Sequence, residues 1–325
     1  MPGFELADPA LTDRVARGLD KVEQLLSDEL ASEFSFVTEA SRHLVAAGGK
    51  RFRPLFTLVA AGIGPESDSD DVVTAGAVVE LIHLATLYHD DVMDEAEIRR
   101  GTDSANARWD NSIAILAGDF VFARASRLVS GLGPEAVRII ADTFAELVSG
   151  QIRETVGPSP GEDPIAHHLT VLNEKTASLI DTCARYGGMF SGATDQQTAT
   201  LRRYARALGV AFQLSDDIID IASLDSGKTP GTDLREGVRT LPMLYTLADP
   251  GADPELVALL AGPIHDDAAI DRAVDLLRIA PGLDRARATL DEYATAARRE
   301  LSMLPSSPEV SAMDALTTFV VERTR

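Results

Sequence analysis

Four long stretches, Val72 to Tyr88, Ile113 to Leu128, Val137 to Ile152 and Leu201 to Ile221, carry apolar residues at three- and four-residue spacing. That is the period of a helix with one buried face. No comparable run alternates apolar and polar residues with the Val, Thr and aromatic enrichment of hairpin sheets, and aromatic residues make up only 5% of the chain. The pattern predicts an all-α protein of about a dozen helices.

Turn-forming clusters divide these helices. They are Gly48-Gly49 and the stretches at 61–71, 157–164, 223–237, 250–254 and 304–308. None is long enough to read as a domain linker, so the expectation is one domain over 1–325. The segment at 223–237 is too long and too charged for a plain helix connection, which marks it as a binding loop or lid.

The net charge of -21 argues against nucleic acid and anionic lipid as partners. An anionic substrate would need a local basic cluster working against that field. Cys183 is the single cysteine, so there is no disulfide framework and no thiolate metal site, and a reducing, cytoplasmic setting is expected. Cys183 itself reads as a buried small hydrophobe. The N-terminus has early acids and no apolar run, unlike a signal peptide, and no uninterrupted apolar stretch approaches a membrane span.

One pattern occurs twice. Asp90-Asp91-Val92-Met93-Asp94 and Asp216-Asp217-Ile218-Ile219-Asp220 both read Asp-Asp-x-x-Asp, each after a helix-period run. In a helix, i and i+4 share a face and i+1 lies about 100 degrees round. Three carboxylates packed this way repel one another unless a cation neutralises them. Hard oxygen ligands suit magnesium, which shares its shell with substrate phosphates. One such cluster is equally well a solvated helix end. Two with identical spacing point to metal, on two helices facing one cavity.

Basic residues flank both clusters. Lys50, Arg51 and Arg53 follow the glycine pair where a helix can begin, a natural diphosphate site. Arg99 and Arg100 follow the first cluster, and Arg is suited to forked phosphate recognition. Lys175 lies in Asn-Glu-Lys-Thr, and Lys228, Arg235 and Arg239 follow the second cluster. His83 precedes Asp90 by two helical turns, roughly 10 Å along the axis, and can donate to a phosphate oxygen. His89-Asp90 also spells the His-Asp pair of a metal phosphohydrolase, a reading that leaves the second cluster and the basic groups without a role.

With these motifs in view, the chain resembles the trans-isoprenyl diphosphate synthases, or polyprenyl synthetase family. The match runs from Gly-Gly-Lys-Arg-Phe-Arg-Pro through residues 80–101, Leu-Ala-Gly-Asp-Phe, Asn-Glu-Lys-Thr and Phe-Gln-Leu-Ser-Asp-Asp to residues 227–242, covering roughly 40–245. The resemblance implies an all-α, isoprenoid synthase-like bundle around a central cavity. It implies that Asp90, Asp91 and Asp94, with Asp216, Asp217 and Asp220, hold three magnesium ions on an allylic prenyl diphosphate. Lys50, Arg53, His83 and Arg100 would bind isopentenyl diphosphate, with Arg51 nearby. Arg99, Lys175 and Lys228 would contact the allylic diphosphate, and Thr176 and Gln213 would line the place where positive charge develops. Val238-Arg239 stands where many members have Gly-Lys, which alters detailed phosphate geometry but keeps a cation.

The implied reaction is ionisation of the allylic substrate, attack by the isopentenyl double bond and loss of a proton, with the loop at 223–237 closing against water. A terpene cyclase would carry a different second motif and no isopentenyl diphosphate site. A catalytically silent subunit of a heteromeric synthase would have eroded motifs. Family members are typically homodimers, and a C-terminal cation, Arg323 or Arg325, near the diphosphates is conceivable. Ala85 and Thr86, five and four positions before the first cluster, are small, and the cluster carries no two-residue insertion. An open tunnel there implies a long product of roughly C30 to C50. Closure by Leu81, Ile82, Phe120 or Phe144 would instead give a geranylgeranyl or farnesyl product.

Overall fold

A computed structural model describes residues 6–222 and 231–324. In chain order it contains α1 (Pro9–Glu29), α2 (Ser35–Ala46), α3 (Phe52–Ala61) and α4 (Asp70–Met93). A hairpin of β1 (Ile98–Arg99) and β2 (Thr102–Asp103) follows, then α5 (Ala105–Arg108), α6 (Asn111–Ser130), α7 (Pro134–Val156) and α8 (Pro164–Val171). A π-helical turn, Leu172–Ala177, runs into α9 (Ser178–Phe190), and α10 (Asp195–Ala222) comes next. The remainder is α11 (Thr232–Glu236), α12 (Leu241–Leu247), α13 (Pro254–Leu259), α14 (Asp267–Ile279), α15 (Pro281–Leu301) and α16 (Pro308–Glu322). Twelve of these α-helices have eight residues or more. The expected all-α architecture is therefore what forms, and the turn-forming clusters at 48–49, 61–71, 157–164, 250–254 and 304–308 fall at helix boundaries. The stretch expected as a loop at 223–237 is helical over Thr232–Glu236, where Leu234 is buried in the core, and 223–230 lie outside the described residues. The hairpin was not expected, because strands of two residues carry no periodicity to read.

The chain gathers into two compact units, interleaved in sequence. One comprises the chain up to Ala145, Leu179–Arg202 and Ser306–Ala312, and the other Glu146–Ser178, Arg203–Pro305 and the chain from Met313.

In the first unit α4 is the central element, packed against α1, α3 and α6. Ser69 caps its start by accepting from the Val72 N–H at 3.3 Å, and Asp70 and Asp71 add favourable negative charge to the first turn. Val72, Val78, Leu81, Ile82, Leu84, Ala85 and Tyr88 are buried around its circumference, so the helix is apolar on all sides. Among the described residues it is the one helix long and apolar enough to cross a membrane, and burial in the fold accounts for that composition. Tyr88 ties it to α2, its hydroxyl donating to the Ala40 carbonyl at 2.6 Å.

In the second unit Ile221, Leu234, Met243, Leu256, Leu260, Ile264, Ile270 and Val274 form a continuous core. It joins the end of α10 to α11, α12, α13 and α14. At about 25 cal/mol per Å² of apolar surface, burial of this cluster is what holds the short helices α11 and α13 in place, since helices of five or six residues are not stable alone.

Candidate active site

The first aspartate cluster sits at the C-terminal end of α4. Asp90 and Asp91 occupy its last turn, and Asp94 is the C-cap, its N–H donating to the Asp90 carbonyl at 2.8 Å. A helix C-terminus carries partial negative charge, so three carboxylates there raise the demand for a cation beyond their own repulsion. Asp91 is fully buried, and its Oδ1 accepts from Arg99 Nε at 2.5 Å. Burial raises the Asp91 pKa, the Arg99 charge opposes that, and Asp94 adds to it. Its Oδ2 is buried with no hydrogen-bond partner. A buried carboxylate oxygen left over is costly, and it suits a metal ion; the all-oxygen donor set at this helix end fits magnesium chemistry.

The expected isopentenyl diphosphate residues lie in this same unit, and five of the chain's cations and near-cations converge there. Burial first, then the charges of Arg53, Arg100, Arg99 and Arg51, hold His83 well below the usual imidazole range. His83 is therefore neutral at physiological pH. Arg53 is half-buried with its Nε orphaned, a donor suited to an anionic ligand. Lys50 is exposed just ahead of α3.

The backbone is bent to make this cluster. Among the described residues, those with positive φ other than glycine are Arg51 at 46°, Glu95 at 50° and Arg100 at 54°, all here. Arg100 and Gly101 (φ 76°) form the two-residue turn between β1 and β2, a turn type that requires positive φ at both positions. Such strain persists only where the surroundings enforce it. Here the Arg100 Nη1 donates to the carbonyls of Leu44, at 2.7 Å, and Gly48. Gly49 completes the fit, since a Cβ there would lie 2.9 Å from both the Arg100 and Arg51 guanidinium groups.

Two acids that the sequence reading passed over organise these cations. Glu80, only 2% exposed, accepts from Arg51 Nη1 at 3.3 Å and lies 3.8 Å from Arg100 Nη2. Glu23 on α1 takes Arg51 through Nε and Nη2. Arg51 also donates to the Val45 carbonyl at 3.3 Å. Its donors are thus spent on the protein, which makes it a brace for the cluster more than a ligand-facing group. The available signal was Glu80 itself, a lone acid inside Val-Val-Glu-Leu-Ile, where burial without a partner would be prohibitive.

Lys175, Thr176, Gln213, Asp216, Asp217 and Asp220 belong to the second unit. The π-helical turn carries Lys175 and Thr176, and π turns widen a helix at functional positions. Gly150 on α7 permits it, because a Cβ there would lie 2.6 Å from the Lys175 nitrogen. Lys175 pairs with Glu154. Thr176 Oγ1 donates to Gln213 Oε1 at 3.4 Å, and Gln213 Nε2 donates to Asp217 Oδ1 at 3.2 Å. Asp217 is buried and also meets His168 Nε2 at 3.2 Å. Asp216 is 2.9 Å from Arg323, and Asp220 accepts the N–H groups of Thr232 and Asp233, both at 3.3 Å, at the start of α11. Among the described residues, no three His, Cys, Asp or Glu side chains converge as chelating groups. Asp91, Asp216, Asp217 and Asp220 instead meet protein side chains or backbone N–H donors. Ala85 is buried beneath α6, and Thr86 Oγ1 donates to the His83 carbonyl at 2.8 Å. Phe144 packs on Phe122, centroids 4.6 Å apart. Lys228 and Arg325 lie outside the described residues. Cys183 is buried, its thiol pushed up to about 12 by burial, so it is no nucleophile.

The polyprenyl synthetase family model matches residues 35–277. The nonaprenyl diphosphate synthase of Mycobacterium tuberculosis is 56% identical over 324 residues, covering 99% of this chain and 97% of that protein. The geranylgeranyl pyrophosphate synthase of Corynebacterium glutamicum, solved with calcium and isoprenyl diphosphate, superposes with a TM-score of 0.88 at 46% identity, over 98% of this chain and 99% of that one. The decaprenyl diphosphate synthase of Rhodobacter capsulatus also gives 0.88, at 33% identity, over 97% and 99%. With motifs, fold and full-length likeness in accord, the chain belongs to the polyprenyl synthetase family.

Proposed function

We propose that this protein is a long-chain trans-polyprenyl diphosphate synthase, condensing an allylic prenyl diphosphate with successive isopentenyl diphosphates in a single polyprenyl synthetase domain. The observation that carries the site assignment is in the first unit. A strained group of arginines around a neutral His83 adjoins a helix end whose buried Asp91 keeps one oxygen unpartnered. A cation cluster beside a metal-suited acid cluster is the equipment for a diphosphate that must depart. The 56% identity to a nonaprenyl synthase supports the long product.

In this reading Lys50, Arg53, His83 and Arg100 hold isopentenyl diphosphate, and neutral His83 contributes a hydrogen bond without adding charge. Asp90, Asp91 and Asp94, with Asp216, Asp217 and Asp220, are the ligands of magnesium, three ions in all by the resemblance. Bound there, the metal supplies Lewis-acid neutralisation of the leaving diphosphate. Arg99, Lys175 and Lys228 add charge to the allylic diphosphate, and Arg99 would exchange its present contact with Asp91 for that substrate. Thr176 and Gln213 direct their oxygen dipoles to the developing allylic cation, stabilising it electrostatically. No protein nucleophile is needed. The expected working form is a cytoplasmic homodimer, and the exposed Ile115 and Leu116 on α6 are apolar side chains that a second copy would cover.

The test is incorporation of labelled isopentenyl diphosphate, with an allylic primer, into material extractable into organic solvent. Incorporation that depends on magnesium and disappears in EDTA supports the reading. Incorporation unchanged by EDTA refutes the metal assignment, and none under any divalent metal refutes the activity.

A further inference from the structure

Just beyond the end of α16, Arg323 turns its whole guanidinium group onto one turn of α10. Its Nε donates to Ser215 Oγ at 2.6 Å, its Nη2 to the Phe212 carbonyl at 2.8 Å, and its Nη1 lies 2.9 Å from Asp216 Oδ1. The guanidinium carbon stands 4.5 Å from the Phe212 ring centroid, a cation–π contact. The side chain is only 15% exposed, whereas Asp216 is 41% exposed. All three nitrogens are committed, and the planar fork fixes the orientation. Asp216 begins the second aspartate cluster, where three acids repel unless a cation is present.

We propose that Arg323 is a resident counter-ion for the second aspartate cluster, displaced when metal binds, so that metal loading is coupled to release of the chain's C-terminal turn. This rests on the reading of Asp216 as a metal ligand. While the 2.9 Å contact lasts, Asp216 Oδ1 faces a guanidinium. A divalent ion taking that oxygen would stand against a fixed positive charge, so the two cations exclude one another. A metal that binds through Oδ1 therefore breaks the contact, and its apparent affinity is lowered by the stability of the contact it replaces. In return, Asp216 has a counter-ion in the metal-free protein, which offsets one negative charge near the C-terminus of α10. Arg323 is a positioning residue here. It touches a ligand of the metal and not the reacting atoms.

The test uses the full chain and two readouts. The first is amide hydrogen exchange of wild type, in EDTA and then in magnesium with inorganic pyrophosphate. The expected result is faster exchange of the last turn of α16 in the loaded protein, while the core of α4 does not change. The second is calorimetric titration with magnesium at fixed pyrophosphate. Arg323→Gln should bind roughly three- to ten-fold more tightly than wild type, a range set by a charge-assisted contact discounted for the exposure of Asp216. Its last turn should exchange rapidly with or without metal, and Arg323→Lys should fall between the two. Unchanged or weaker magnesium binding by Arg323→Gln, or a C-terminal turn indifferent to metal in wild type, overturns the proposal. Asp216→Asn separates the causes. If it binds magnesium as wild type does, the metal assignment fails and this inference with it; if it binds weakly while Arg323→Gln matches wild type, this inference alone fails.

Discussion

Glu80→Gln isolates the acid that holds together the cations of the proposed isopentenyl diphosphate site. One Glu80 oxygen lies 3.3 Å from Arg51 and 3.8 Å from Arg100, in a side chain 2% exposed. At an effective dielectric of about 20 each contact represents on the order of 4–5 kcal/mol of gross attraction, most of it offset by desolvation of the carboxylate. Breaking such a buried pair from one side costs about 3–5 kcal/mol. Glutamine keeps the shape and one neutral hydrogen bond, so the expected loss in urea denaturation is about 2–4 kcal/mol. The second half of the experiment distinguishes a diphosphate site from ordinary packing. Glu80 and a bound diphosphate carry like charge and share the same arginines, so removing Glu80 should tighten anion binding. By linkage, saturating inorganic pyrophosphate without metal should narrow the gap between variant and wild type by about 1–3 kcal/mol. A variant within about 1 kcal/mol of wild type, or a gap that pyrophosphate leaves unchanged or widens, would refute the reasoning.

Other expectations follow from the same geometry. Asp90→Ala or Asp216→Ala should cut turnover by several orders of magnitude with the helical circular dichroism retained, and a near-normal rate in either would contradict the metal role. Arg100→Ala should chiefly raise KM for isopentenyl diphosphate, at a cost of about 1.5–3 kcal/mol, whereas Lys228→Ala should chiefly impair the allylic substrate; equal effects on both substrates would mean the sites are misassigned. His83 is held neutral by burial and the surrounding arginines, so the unfolded chain takes up a proton near pH 6.5 that the native protein refuses. Stability from this group is complete above about pH 6.5 and is lost as pH falls towards the depressed native value, so His83→Gln should show a shallower acid-side loss than wild type; parallel curves would contradict it. Ala85→Phe, at a position 1% exposed, should shorten the product and cost about 1–3 kcal/mol through overpacking, and an unchanged product length in a folded variant would remove Ala85 from the tunnel.

How much of this was legible in the sequence depended on whether the signal was periodic. The apolar repeats in 72–88 and 201–221 lie within α4 and α10, because a helix buried along its length must repeat its apolar face. The placement of Asp90 and Asp91 in a last helical turn followed from the same register. The hairpin did not, since Arg100 and Gly101 declare a turn only through backbone angles. Glu80 and Glu23 were missed because their partner, Arg51, is distant in sequence from both. The π-helical turn at 172–177 has no compositional mark, and Gly150, which leaves room for it, is on another helix. That Arg323 would reach Asp216 is a long-range pairing, which no local rule contains.

The most direct measurement of the central claim is chromatography of the dephosphorylated products formed from an allylic primer and excess isopentenyl diphosphate with magnesium. Release of one pyrophosphate for each five-carbon unit added should accompany it. A dominant all-trans product of roughly C30 to C50 is expected, in keeping with the 56% identity to a nonaprenyl diphosphate synthase. A product that stops at fifteen or twenty carbons would contradict the long-chain assignment, and pyrophosphate release without chain growth would contradict prenyl transfer itself.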